Sequence, residues 1–201
     1  KGIDKNLIYS YANLTISNFS MDLLQSQKHI IESAGAIHLE GGEISRMSAD
    51  LFLHSPAITV DSNIVTWISS NITLSEFGDS VVVLATNSIL RSERLFASGI
   101  LAPTFFSFPN KGFVQNVTVL DSVFQELSCN YVILMPQTVS GSVEIRRSVF
   151  LNNEVIIVLN QDPEASTLFV LTQDSLFPVN IADCFFTNNS GNFVVVLSAS
   201  H

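Results

Sequence analysis

Charge is what this sequence of 201 residues has least of: 13% of the residues are Asp, Glu, Lys or Arg, about half the usual quarter. Bases are the scarcer sign, 9 against 18 acids, for a formal charge of -9. The few bases do not cluster, so a phosphate backbone would be repelled and nucleic acid is excluded as a partner. Long apolar runs are missing as well. Residues 155–159 and 193–197 reach five in a row, far short of the roughly 20 that a membrane-spanning helix needs, so no transmembrane segment is expected. What is present is a hydrophobic fraction of 47%, which rules out disorder and leaves a soluble or surface-anchored β-rich chain.

The helical template fails almost everywhere. Apolar residues recur in short β-branched clusters with alternation: Ile58-Thr-Val60, Ile72-Thr-Leu74, Val117-Thr-Val119, Val143-Glu-Ile145 and Val179-Asn-Ile181. Such clusters read as strands, separated by Ser, Asn, Asp and Gly, which satisfy tight turns through their side chains or tolerate left-handed backbone. Only residues 20–32, with Met21, Leu23, Leu24, Ile30 and Ile31, could hold a helical turn or two.

Internal repetition is the strongest signal. The segments Val117-Thr-Val-Leu-Asp-Ser-Val-Phe124, Val143-Glu-Ile-Arg-Arg-Ser-Val-Phe150 and Val179-Asn-Ile-Ala-Asp-Cys-Phe-Phe186 share one register. Each is followed by a further apolar strand, at 131–135, 155–159 and 193–197. The copies lie 26 and 36 residues apart, and 160–178 in the longer gap reads as a loop insertion. Without it the period is that of one coil of a three-strand solenoid. Fainter echoes stand at Leu14-Thr-Ile16, Ile58-Thr-Val60 and Ile72-Thr-Leu74.

Stacked coils explain this register better than a β-sandwich, the alternative. In a solenoid each coil repeats the one before at about 4.8 Å, so equivalent positions become ladders of like character. Ser122, Ser148 and Cys184 would form a small-residue ladder at a bend, and Phe124, Phe150 and Phe186 a ladder of rings. With 15 Phe against 3 Tyr and 1 Trp, few interior rings carry a polar group needing a partner. The expectation is an all-β, right-handed parallel β-helix of three-strand coils, a single segment over 1–201. The chain starts at Lys1 and stops just after an apolar strand, so it is expected to be part of a longer chain. Its partners would be further coils of that chain, or other copies end to end.

Phe150-Leu-Asn-Asn153 and Phe186-Thr-Asn-Asn189 resemble the Phe-x-x-Asn motif, and Ala34-Gly-Ala-Ile37 the Gly-Gly-Ala-Ile motif, of polymorphic outer-membrane-protein-like repeats. These lie within the wider class of right-handed parallel β-helices. The matches cover 114–197, and Phe124-Gln-Glu-Leu127 departs from the pattern by lacking the Asn. The resemblance implies a pectin-lyase-like coil, used in adhesins and surface proteins as well as in polysaccharide-cleaving enzymes.

Cys129 and Cys184 fall at different corners about two coils apart, near 10 Å by stacking distance, beyond the roughly 7 Å reach of a disulfide. Two buried free thiols are expected. Five Asn-x-Ser/Thr sequons stand at Asn13, Asn18, Asn71, Asn116 and Asn188. Three of them share the form Asn, apolar, Thr, apolar, which puts the Asn just before a strand where a glycan can point outward. The competing use of the same residues is an Asn ladder inside the turns, with stacked amides bonding from coil to coil.

Enzyme signatures are sparse. Polygalacturonase-type chemistry needs clustered carboxylates, and no adjacent Asp pair or Gly-His-Gly occurs. Pectate-lyase-type chemistry needs a basic residue beside a carboxylate-held calcium; the pair Arg146-Arg147 has Glu144 nearby but no second acid. His29, His38, His54 and His201 lack the spacing of a zinc site, and Gly41-Gly42 lacks the Lys-Ser/Thr of a phosphate loop. No catalytic residue, metal site or cofactor is assigned. The function expected is a non-catalytic structural or adhesive glycoprotein segment, extracellular or at the cell surface by way of the secretory pathway, in an appendage or filament. The alternatives are a carbohydrate-active enzyme whose catalytic coils lie outside this segment or on the 160–178 loop, with Asp162, Glu164 or Asp174 as the acids there, and a β-helix that binds glycans without turnover.

Overall fold

Val117, Val143 and Val179 stand side by side in neighbouring parallel strands, as do Phe124, Phe150 and Phe186. The chain therefore climbs one rung each time the eight-residue register returns. The computed structural model describes residues 8–22, 25–26, 31–49, 58–60, 64–73, 75–77, 80–84, 88–107, 114–129, 131–135, 139–154, 167–171, 178–190 and 193–197. Among these there is no helix, and every strand pairing is parallel. The architecture is an all-β parallel solenoid.

Three sheets form its walls. The first stacks eight strands, from Ile8–Ser10 to Phe193–Leu197; the second stacks seven, from Leu14–Ser17 to Val179–Ala182; the third stacks seven, from Ser20–Asp22 to Phe185–Thr187. A fourth, narrower strip joins Gln25–Ser26, Ser48–Ala49 and Glu76–Phe77. Single bridges repeat the same kind of contact at Leu101, Ser128 and Glu154. Six successive coils thus carry a short extra contact beyond the expected three strands.

Alternation fixes which residues face inward. In Ile37–Glu40, Ile37 and Leu39 are buried while Glu40 is exposed. The third sheet stacks Met21, Ile44, Ile72, Ala97, Phe124, Phe150 and Phe186 in one inward column. The last three rings lie face to face, 5.1 Å apart at 4° and 5.0 Å apart at 9°. Ala97 ends the stack, and Phe105 meets Phe124 edge-on at 5.4 Å.

Corners between the second and third sheets each pass through one residue of positive φ: Asn18, Gly41, Ser69, Arg94, Asp121, Arg147 and Asp183, between 48° and 61°. Left-handed backbone disfavours most L-residues. Here the stacking supports it, because the amides of the first six donate to the next coil, as Arg94 does to Leu120 O at 3.0 Å and Arg147 to Ala182 O at 3.1 Å.

Three local expectations change. Residues 20–22, 25–26 and 31–33 are strands rather than helical turns. Their apolar residues fill inward positions of parallel ladders, which outweighs any helical spacing. Leu14, Ile58 and Ile72 do not mark equivalent places, since they lie in the second, first and third sheets. Within 160–178, expected to be a loop, Thr167–Leu171 is a strand of the first sheet, between Tyr131–Met135 and Phe193–Leu197. Its run Leu-Phe-Val-Leu has the apolar, strand-favouring character common in parallel sheets. Residues 155–159, expected to supply that rung, and 160–166 and 172–177 lie outside the described residues.

Candidate functional site

The small-residue ladder at the corner is a hydrogen-bond device. Ser122 Oγ donates to Leu120 O at 2.8 Å and accepts from Leu95 N at 3.2 Å. Ser148 Oγ donates to Arg146 O at 2.9 Å and accepts from Ser122 N at 3.2 Å. Ser70 plays the same part, donating to Ile68 O and accepting from Gly42 N. Each hydroxyl closes its own turn and satisfies an amide of the coil before. Cys184 keeps the first bond, its thiol donating to Ala182 O at 3.3 Å.

At the next corner the asparagines of the Phe-x-x-Asn motif do this work. Asn153 is buried; its Oδ1 accepts from Leu127 N at 3.0 Å and its amide donates to Phe124 O at 3.0 Å. Asn189 repeats the arrangement one coil on, accepting from Asn153 N at 3.1 Å and donating to Phe150 O at 2.8 Å. Leu127, where the motif fails, offers only its backbone to this ladder.

The outside of the second sheet alternates. The outward pairs Thr15 and Ser17, Thr66 and Ile68, and Thr118 and Leu120 are uncharged. Between them lie His38 and Glu40 at 3.5 Å and Arg91 and Glu93 at 2.7 Å, and Glu144 and Arg146 at 3.0 Å follow on the next rung. Arg91 with Glu93 and Arg146 with Glu144 are each balanced within their own strand, and an uncharged outward pair separates one rung from the next. Arg147 finds the acid that the local sequence did not offer. It holds Asp121, at the equivalent corner one coil earlier, through bonds of 2.6 and 2.8 Å. The hydrogen bond to Arg147 keeps the Asp121 carboxyl below the usual carboxylate range, helped by the nearby charges of Arg147 and Arg94. Coil length was the signal that could have paired them: they stand 26 residues apart at the same corner position.

The five sequons are spread around the solenoid rather than gathered. Asn13 is exposed, its Oδ1 accepting from Ala36 N at 3.0 Å. Asn116 is half-buried within Val114–Leu120, its Oδ1 accepting from both Ser142 N and Ser142 Oγ. In each, the oxygen makes the bond and not the nitrogen that a glycan would use. Asn18 and Asn188 are exposed corner residues of positive φ. Asn71 is exposed on the third sheet as the first residue of Asn71–Thr73.

Both cysteines are free; Cys129 is buried, but Cys184 is only half-buried. Burial pushes the Cys129 thiol up to about 12, which holds it protonated and unreactive at neutral pH. His38 is on the outer face, and His29, His54 and His201 lie outside the described residues, as do Asp162, Glu164 and Asp174. Among the described residues no group of three His, Cys, Asp or Glu could hold a metal ion, and no helix is long and apolar enough to cross a membrane. Comparison with protein-family models, with curated proteins and with solved structures returns no match.

Proposed function

We propose that this chain is a non-catalytic structural or adhesive glycoprotein segment, extracellular or at the cell surface, of the pectin-lyase-like kind and akin to polymorphic outer-membrane-protein-like surface repeats. The observation that carries the reading is the use to which the repeat puts its polar residues. Ser122, Ser148, Asn153 and Asn189 are engaged in holding one coil to the next. The repeat is thereby a device for length and rigidity, and its exposed corners and outer rows are left for sugars and contacts. Exposed Asn18, Asn71 and Asn188 supply attachment points of the right sequence. Intact mass before and after deglycosylation, on protein from a eukaryotic secretory host, tests the compartment, and a mass unchanged by the treatment would refute the glycoprotein reading. An assay for reducing ends or unsaturated products on acidic polysaccharides tests the absence of catalysis. Turnover abolished by Asp162→Asn, Glu164→Gln or Asp174→Asn would make the protein a carbohydrate-active enzyme.

A further inference from the structure

The outward column of the third sheet changes character at one residue. Its register runs Ser20, Glu43, Asn71, Phe96, Val123, Val149, Phe185. Before Asn71 the column is polar and exposed; after it, every outward position is apolar. Phe96, Val123 and Val149 are half-buried, and Phe185 is 61% exposed. An apolar column on the outside of a β-solenoid offers a track along which an amphipathic cover can lie. Asn71 pairs directly with Phe96, one rung away at about 4.8 Å, and Asn71-Ile-Thr73 is a sequon.

We propose that Asn71 carries an N-linked glycan whose first sugars lie along this column, the innermost over Phe96 and the next over Val123. The inference rests on the glycoprotein reading above and selects one of its five sequons. A pyranose is amphipathic: one face presents polarised C–H groups, which favour the negative face of an aromatic ring, while its rim carries hydroxyls. The third sheet offers the matching pair of tracks. Two residues along from the apolar column, Ser98 and Gln125 form a polar row of their own, the Gln125 amide donating to Ser98 Oγ at 3.2 Å. A sugar is about as long as one rung is high, so successive residues keep pace with successive coils. The linkage needs no further chemistry from this chain: in the secretory pathway the Asn71 amide nitrogen bonds to the anomeric carbon of a phosphate-activated, lipid-carried oligosaccharide, the sugar–phosphate bond breaks, and the lipid phosphate and one amide proton leave.

Peptide mapping of protein from a eukaryotic secretory host should find Asn71 occupied. Asn71→Gln should then lower the thermal midpoint by about 2–4 °C, the size of an ordinary contact in a chain of this length. In a Phe96→Leu background, which keeps the wall packed but removes the ring, the same substitution should cost less than half of that. Proton resonances of the innermost sugar should be shifted upfield by the Phe96 ring relative to the free glycopeptide, and Phe96→Leu should abolish the shift even if it alters stability. Sugar at other sequons with Asn71 bare would overturn this inference and leave the glycoprotein reading standing. Asn71 occupied, with unshifted resonances and additive substitutions, would overturn the stacking alone. All five sequons bare would overturn both.

Discussion

Asn153 and Asn189 are joined side chain to side chain: the Asn153 amide donates to Asn189 Oδ1 at 2.8 Å, while Asn189 Oδ1 also accepts from Asn153 N. The motif that resembles a family signature is thus a column of amides, each bridging two coils. Asn153→Ala strips a buried donor and acceptor and leaves Leu127 N and Phe124 O short of a partner. A loss of about 1–3 kcal/mol is expected from urea denaturation. Asn153→Asp should cost at least as much at neutral pH, because it replaces the donor with a buried charge. If Asn153→Ala unfolds at the wild-type midpoint, the amide column is not a source of stability.

The ring column yields a second test. Phe150 is stacked between Phe124 and Phe186 and has no exposure. Phe150→Ala should open a cavity in the middle of three rings and cost about 3–5 kcal/mol. Arg147→Ala, at the exposed corner nearby, should lower the midpoint only by the small amount that its exposed ion pair with Asp121 contributes, far less than Phe150→Ala. Equal losses at the two positions would contradict the inward and outward assignment.

The three carboxy-terminal coils were legible in the sequence because their stacked positions are filled alike, by Val117, Val143 and Val179 and by Phe124, Phe150 and Phe186. Earlier coils use other residues for the same places. Met21, Ile44, Ile72 and Ala97 precede Phe124 in its column, so apolar character persists while the residue itself changes at all but one step. A solenoid requires each coil to fit its neighbours, and a gradual change of side chain along a column meets that requirement while erasing the repeat. Thr167–Leu171 was missed for a related reason: the 36-residue spacing concealed a rung of normal kind inside what read as an insertion. The bonding roles of Asn153 and Asn189 were half legible, as a competing use for asparagine in the turns. The pairing of Asp121 with Arg147 joins residues adjacent only across coils, and the 26-residue spacing of the repeat was the one sign of it.

Serines separate into two kinds. Ser148→Ala removes a hydroxyl that donates to Arg146 O and accepts from Ser122 N, and about 1 kcal/mol should be lost. Ser92 is equally buried, but its hydroxyl has no partner among the described residues. Ser92→Ala should therefore be neutral or stabilise by up to about 1 kcal/mol, since a desolvated, unpaired hydroxyl is relieved. Cys184→Ser restores the residue that stands at that position in the two coils before it and should unfold within about 0.5 kcal/mol of wild type. A destabilised Ser92→Ala would show that the hydroxyl is bonded after all.

Gly35 should tolerate nothing larger. A Cβ at this position would overlap the backbone of Ala12, one coil below, where Ser33 Oγ already donates to Ala12 O at 3.1 Å and accepts from Gly35 N at 3.1 Å. Gly35→Ala must push two coils apart, and a marked fall in thermal midpoint is expected. Gly42 differs because its Cβ would meet the Phe19 ring, a side chain that can be shortened. Gly42→Ala should be rescued in part by Phe19→Ala, whereas no side-chain change at Ala12 should rescue Gly35→Ala. Rescue of both, or of neither, would mean that backbone contact is not what restricts Gly35.

Acid should weaken one identifiable contact between coils. The Asp121 carboxyl is lowered chiefly by its hydrogen bond to Arg147, and the Arg147 guanidinium is raised by the same partner. A carboxylate with a folded-state pKa below its unfolded value of about 3.9 stabilises the fold fully above that value and loses the contribution as pH falls through the folded pKa. Asp121→Asn removes the titrating group. The gap in urea midpoint between wild type and Asp121→Asn should hold steady from pH 7 to about pH 5 and close progressively below about pH 4. Because both side chains are exposed, molar salt should also shrink the gap at neutral pH. A gap that persists undiminished in strong acid would assign the effect of the substitution to the left-handed corner backbone at Asp121 instead of to its charge.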